Sequence, residues 1–385
     1  MRDRMKSALP KLEDLLADGF MKRMAASYLG ILETERASGL FDADYLEWAH
    51  AHGFCAESAY AYGLSDANLG SYLSDYDYWR LWPLNDWQRI WINDKLTLNA
   101  LLSDSELAQY LPRYHYYSSR GHLLPLGEGD GAGMEGFLAC LRREGELACK
   151  PCNGSEANGF FKLAFEDGSY LLNGRPVGAE GVGRFVAENP NYVFTEFIHP
   201  NAQLAAIDPL IHTMRVLVLN PTGIDPVPAA SYLRFAVGVD ETGSSANYQA
   251  PTTADICSYN VGVDLSCGRY GGGKVVYAAK VVDSPKHPTS GTLAEGQIDC
   301  WPQMLEMMRR ISLKVRACEY LGFDACVTDK GPRIMEINSH SGVKYLQLFT
   351  PIMEDARLSE YFSSKIAAID VLGEADRAAR NGIVR

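Results

Sequence analysis

Residues 321–342, LGFDACVTDKGPRIMEINSHSG, hold two apolar-alternating runs on either side of Asp329-Lys330-Gly331-Pro332. That pattern predicts a strand, a tight turn and a second strand. Gly331 can take a positive φ, and Pro332 falls at the turn exit, where a missing N–H costs little. Residues two apart on a strand share a face, so Glu336 and Asn338 project together while Met335 and Ile337 face the opposite layer. A hairpin can bring Asp324 beside them. Three hard oxygen-bearing side chains on one sheet surface suit Mg²⁺ held between protein and phosphates. The alternative is a polar outer face whose acids are kept apart by water.

Size and charge narrow the setting. A chain of 385 residues can bury a large core in two or three lobes. The net charge of −12 and the lack of a dense Lys/Arg block argue against nucleic-acid and anionic-membrane surfaces. The first residues, MRDRMKSALPKLEDLL, lack a signal-type apolar core, and no later run reaches membrane-spanning length, so a cytoplasmic location is the expectation. Nine cysteines without regular spacing make a poor disulfide scaffold. Cys149-Lys150-Pro151-Cys152 matches the redox C-x-x-C pattern, yet it is followed by more loop, Asn153-Gly154-Ser155, where a redox pair wants a helix start.

Upstream, residues 1–92 read as a helical region. Leu12, Leu15, Leu16, Phe20 and Met21 recur at helical spacing, as do Tyr28, Leu29 and Leu32. The aromatic segment Tyr76, Tyr78, Trp79, Trp82, Trp87 and Trp91 fits packing of this cap onto the body, with a stacking platform as the other reading. His50 and His52 diverge on a helix and do not make a metal pair. Asn93 or Asp94 caps the next helix, which places Lys95 in its first turn against the helix dipole, a small cost that an anionic ligand would offset.

In the middle of the chain, Lys150 precedes the small-residue loop CNGSEANGF (152–160), which lets backbone N–H groups approach a phosphate but is neither a Walker A nor a Rossmann pattern. Glu196 interrupts the apolar run 193–198, either to meet an amine or ribose hydroxyl or as one exposed acid on an edge strand. Arg215 and Arg234 lie in two strands expected to pair. A cation within an apolar strand wants a bound anion or a buried carboxylate, so they line a shared anionic cleft or make structural ion pairs. Gly271-Gly272-Gly273-Lys274 reads as a loop. An amphipathic helix runs from about Pro302 to Tyr320, with Met304, Leu305, Met308, Ile311, Val315 and Cys318 as its buried stripe. Lys344 and Gln347 are placed to return to the cleft, and residues 358–372 read as an amphipathic packing helix.

Taken in order, NDK at 93–95, CKPCNGSEANG at 149–159, TEFIHP at 195–200, TMRVLV at 213–218, GTLAEGQIDCWP at 291–302 and GFDACVTDKGPRIMEIN at 322–338, with Gly342, resemble the ATP-grasp superfamily. The sugar-transfer-associated branch is the more specific likeness. The resemblance implies an α+β fold of two lobes with antiparallel sheets enclosing a nucleotide cleft. It divides the chain into a helical region (1–92), a first lobe with the phosphate loop (93–200) and a second lobe with the Mg²⁺-binding hairpin (201–385). It also implies that Lys95, Lys150, Ser155, Glu196 and Ile198 hold ATP, that Asp324, Glu336 and Asn338 hold Mg²⁺, and that Arg215, Lys150 and Arg234 serve catalysis. Glu156 departs from the usual run of glycines, and a carboxylate there should point away from phosphates.

The activity implied is an ATP-dependent carboxylate–amine ligase that forms an amide through an acyl phosphate, releasing ADP and phosphate. The expected partners are a small-molecule or peptide carboxylate and an amine, with no nucleic acid and no membrane insertion. The N-terminal helices offer a surface for a homodimer or another protein. A kinase acting on a hydroxyl, and a non-catalytic nucleotide-binding module, are the competing readings. His199, His287 and His340 read as orienting or binding groups.

Overall fold

The computed structural model describes residues 9–103, 105–154, 159–238 and 256–383. Two antiparallel sheets dominate. The first contains β1 (Tyr114–Ser119), β2 (His122–Pro125), β3 (Glu146–Pro151), β4 (Phe161–Glu166), β5 (Ser169–Leu172), β6 (Arg175–Pro176) and β7 (Tyr192–Glu196). Their spatial order is β2-β1-β7-β3-β4-β5-β6. Helices Gly133–Glu144 and Gly178–Glu188 bury Phe137, Leu141, Val182 and Phe185 against Leu147, Leu163 and Phe194 of this sheet.

The second sheet holds β8 (Thr213–Leu219), β9 (Val227–Phe235), β10 (Ile256–Val263), β11 (Arg269–Tyr277), β12 (Lys280–Asp283), the short β13 (Gly296–Gln297), β14 (Tyr320–Thr328) and β15 (Gly331–Asn338). The order is β12-β11-β10-β9-β8-β14-β15, with β13 paired to β11. One face is dry. Met214, Val216, Val218, Leu233 and Phe235 pack on Met304, Met307, Met308 and Ile311 of helix Trp301–Lys314. Each of these fully buried aliphatic or thioether side chains contributes about 1.5–3 kcal/mol of burial. The helix ends at Lys314, short of the expected Tyr320, because Tyr320 is already the first residue of β14.

The opposite face is divided. At one end Leu217, Leu219, Ala230 and Tyr320 receive Leu358, Tyr361 and Phe362 of helix Ala356–Asp370, together with Leu73, Leu81 and Leu84 of the N-terminal region. The other end of this face carries polar side chains. The N-terminal helices have their own core of Phe20, Met24, Tyr28 and Leu32 against Tyr76 and Trp82. Asn85 clamps them to the sheet: its amide donates to the carbonyls of Tyr320 and Ser339 and accepts from the N–H groups of Glu319 and Tyr320. The packing reading of the aromatic segment therefore holds for Tyr76 and Trp82. Trp87 differs, being 57% exposed, because Asp86–Arg89 is a tight 3₁₀ turn in place of the expected continuous helix.

Two further expectations are corrected. Gly271, Gly272 and Gly273 lie inside β11, paired with β10. A Cβ at Gly273 would fall 2.2 Å from the Tyr259 hydroxyl, so a strand must be glycine there to let that tyrosine pass. Lys344 and Gln347 turn away from the cleft toward the N-terminal helices. Lys344 pairs with Glu57 at 2.6 Å, and the Gln347 amide bonds both backbone groups of Leu73. No helix among the described residues is long and apolar enough to cross a membrane.

Candidate functional site

The hairpin forms as its sequence pattern directs, with Gly331 at φ 99° in the turn. Its register sets Asp324 directly opposite Glu336 on β15 and opposite Arg215 on β8. All three side chains therefore occupy one row on the polar face. Arg215 grips Asp324 in a fork, with Nε donating to Oδ1 at 2.5 Å and Nη2 to Oδ2 at 2.9 Å. Its remaining arm, Nη1, donates to Ser341 Oγ at 2.8 Å. Asn338 Nδ2 donates to Asp324 Oδ2 at 2.9 Å and to Glu336 Oε1 at 3.3 Å. The three oxygen-bearing side chains thus converge.

Lys95 approaches this row from the other side. Asp94 caps its helix by accepting from Thr97 N at 2.7 Å, and Lys95 N donates to the Cys152 carbonyl at 3.2 Å. Its ammonium is 7% exposed, donates to the Gly154 carbonyl at 3.1 Å and lies 3.8 Å from Glu336 Oε2. One lysine thereby touches both the small-residue loop of the first sheet and the hairpin of the second. Its helix also packs Leu98 and Leu102 into the core of the second sheet, while Leu96 meets Tyr114, Cys152 and Val193. Residues 95–102 consequently join the two sheets.

Electrostatics mark the row as a place awaiting positive charge on one side and negative charge on the other. Burial, then repulsion from Asp324, pushes the Glu336 carboxyl above its ordinary range. Burial, then the neighbouring Lys95, lowers the Lys150 ammonium, which sits half-buried on β3 near Phe160 at 5.9 Å. For Arg215, burial works against the charge, and the Asp324 carboxylate outweighs it, leaving the guanidinium above its ordinary value. A dication fits the hairpin side: it would relieve the Asp324–Glu336 repulsion, and the donor set is all hard oxygen. An anion fits the side of Lys95 and Lys150.

The remaining candidates are placed as follows. Glu196 ends β7, where its Oε2 accepts from Arg113 N at 3.2 Å and lies 4.0 Å from Arg333 Nη1. Ile198 follows, half-buried, in the connection between the sheets. Arg234 stands on β9 with its guanidinium over the Tyr345 ring at 5.9 Å and no carboxylate partner among the described residues. Ser155 and Glu156 lie outside the described residues.

His199 is taken up by Glu146, and His287 bonds the Ala236 carbonyl at 2.7 Å, so neither joins the row. His340 packs on Tyr78, with ring centroids 4.5 Å apart. The redox reading of Cys149 and Cys152 finds no support in their surroundings. Burial raises the Cys149 thiol and pushes Cys152 up to about 11, opposite to what a reactive thiolate needs.

Sequence reasoning missed Ser341, Arg333 and Asn260. Ser341 had a signal in its nearness to the Glu336-x-Asn338 run. Arg333 holds the carbonyls of Gln109 and Leu111, a contact that no local pattern announces.

Similarity to known proteins agrees with this architecture. The description "Sugar-transfer associated ATP-grasp" matches residues 129–353. Solved structures with a similar arrangement include the ATP-grasp ligase PsnB complexed with a phosphomimetic variant of its minimal precursor, Mg and ADP. That pair is 13% identical over 73% of this chain and 60% of PsnB, at a TM-score of 0.38. The D-alanine–D-alanine ligase from Bacillus anthracis complexed with ATP is 12% identical over 76% and 69%, at 0.37. D-alanyl-alanine synthetase A from Vibrio cholerae O1 biovar eltor str. N16961 is 12% identical over 74% and 67%, at 0.43. The chain thus spans about three-fifths of the PsnB chain. No curated protein matches the sequence. With two antiparallel sheets meeting at Lys95 and a family match over most of both, the chain has the ATP-grasp fold and belongs to the sugar-transfer associated ATP-grasp family.

Proposed function

We propose that this protein is an ATP-dependent carboxylate–amine ligase that joins its substrates through an acyl phosphate and releases ADP and phosphate. The observation that carries the reading is the convergence of Asp324, Glu336 and Asn338 with Lys95 across one cleft. Lys95 and Lys150 would hold the nucleotide's phosphates, while Glu196 and Ile198 would border its adenosine end. Asp324, Glu336 and Asn338 would hold Mg²⁺, which when bound bridges phosphate oxygens and neutralises charge developing on them. Arg215, fixed by Asp324 and Ser341, presents a rigid cation to the transferring phosphoryl group, so little reorganisation is needed as charge develops. Arg234 would take the anionic end of a substrate.

The carboxylate oxygen attacks the γ-phosphorus, ADP leaves, and the amine then displaces phosphate from the acyl carbon. Exclusion of water between the lobes protects the acyl phosphate from hydrolysis.

The test is ADP release by the purified chain across carboxylate–amine pairs, with product masses. An amide is expected, and Lys150→Ala should abolish release while the circular-dichroism spectrum is kept. A stable phosphorylated alcohol would replace this reading with a kinase, and carboxylate-independent ADP release would defeat it.

A further inference from the structure

A second polar row lies beside the first. Thr213, Arg234, Asn260 and Lys274 stand opposite one another across β8, β9, β10 and β11. They share a face with Arg215, because Thr213 is two residues from Arg215 and Arg234 is two residues from its partner Tyr232. Strand spacing puts this row roughly 7 Å along the strands from the Asp324–Arg215 row.

Two of these residues keep unused groups. Asn260 is 0% exposed, and its Nδ2 donates to Ser258 Oγ at 2.8 Å, but its Oδ1 is buried with no hydrogen bond. The Nε–H of Arg234, its neighbour in register, is likewise buried and unbonded. Buried polar atoms are nearly always satisfied in a folded protein. A donor and an acceptor that face the same way without bonding each other leave room for a group that supplies both counterparts.

The surroundings hold this pair in place. Lys274 is turned aside to Asp283 at 2.7 Å. Tyr345 lies against the Arg234 guanidinium and meets the Tyr232 ring edge-on at 5.9 Å. The neighbouring Lys344 is tied to Glu57 of the N-terminal helices, so that region helps build the wall.

We propose that Arg234 and Asn260 form a recognition subsite for an acceptor acid that bears a hydrogen-bond donor on its α-carbon. Arg234 takes the carboxylate, for which guanidinium geometry is suited. Asn260 Oδ1 accepts from the α-ammonium or α-hydroxyl. This rests on the ligase reading above and adds the class of acceptor, an α-amino or α-hydroxy acid.

The test measures thermal shifts of the full chain with Mg²⁺ and a non-hydrolysable ATP analogue. The added probes are the common α-amino acids, their α-hydroxy analogues and the matching acids with neither group. At least one amino or hydroxy acid should bind about tenfold or more tightly than its unsubstituted counterpart. Whichever of the two wins identifies the donor. Arg234→Gln should lose all acid binding, and Asn260→Ser should bind substituted and unsubstituted acids alike, both keeping the ATP-analogue shift. Should Asn260→Ser fail to fold, Arg234→Gln and the wild-type discrimination still decide.

Acid binding that ignores the α-substituent, no acid binding at all, or full binding by Arg234→Gln would overturn the subsite while leaving the ligase reading intact. Absence of any ATP-analogue shift in the wild type would instead overturn the ligase reading itself.

Discussion

Glu336→Gln should separate a ligand-holding carboxylate from a structural one, because the substitution moves stability and function in different directions. Asp324 stands directly opposite Glu336, which puts their Cβ atoms about 5 Å apart, and at an effective dielectric near 20 their repulsion is about 3 kcal/mol. Lys95, 3.8 Å from Glu336 Oε2, returns about 4 kcal/mol of attraction by the same arithmetic. These terms nearly cancel, so burial decides, and it raises the Glu336 pKa. A raised carboxyl pKa means that stability is full at low pH and falls as pH climbs through the folded value. Glutamine carries no such cost. Denaturant unfolding at pH 8 should therefore show the variant equal to the parent or more stable by up to about 1 kcal/mol, a gain that fades in acid. Saturation with Mg²⁺ and ATP at 100 times the dissociation constant should stabilise the parent by about 2.7 kcal/mol and the variant by almost none. A variant several kcal/mol less stable that kept its Mg²⁺-dependent ATP stabilisation would refute the reasoning and make Glu336 a structural residue.

Two other outcomes follow from the same geometry. Arg215→Met leaves Asp324 beside Glu336 without its fork and should cost about 3–5 kcal/mol of unfolding free energy, most of it recovered in the Arg215→Met/Asp324→Leu double variant; a loss below about 1 kcal/mol would contradict the ion pair. His212 is buried, accepts from the Val327 N–H at 2.9 Å, and is lowered by burial from 6.5 to about 3, so the unfolded chain takes up its proton first as pH falls. Stability should be level above pH 6.5 and decline below it, by about 2 kcal/mol from this group at pH 5, and His212→Gln should flatten that limb in urea titrations.

Much of the hairpin was legible in the chain itself. Strand alternation is a local property, so Glu336-x-Asn338 had to share a face, and Asp329-Lys330-Gly331-Pro332 had to turn. The Asp94 cap that sets Lys95 at a helix start is equally local. The glycine triplet 271–273 misled because glycine marks both loops and close approaches, and only the Tyr259 ring packed against Gly273 distinguishes the two. Lys344 and Gln347 misled for a related reason: they follow the hairpin in sequence, but their partners, Glu57 and Leu73, come from the far end of the chain.

By itself, then, the sequence determined which side chains share a face within each strand and helix, because those periods are written into neighbouring residues. Only the tertiary structure decided which strands lie side by side. Register between β8, β9, β10 and β14 puts Arg215 on Asp324 and Arg234 beside Asn260. That register is set by burying Met214, Val216, Leu233 and Phe235 under a helix nearly a hundred residues away, a condition no local window contains.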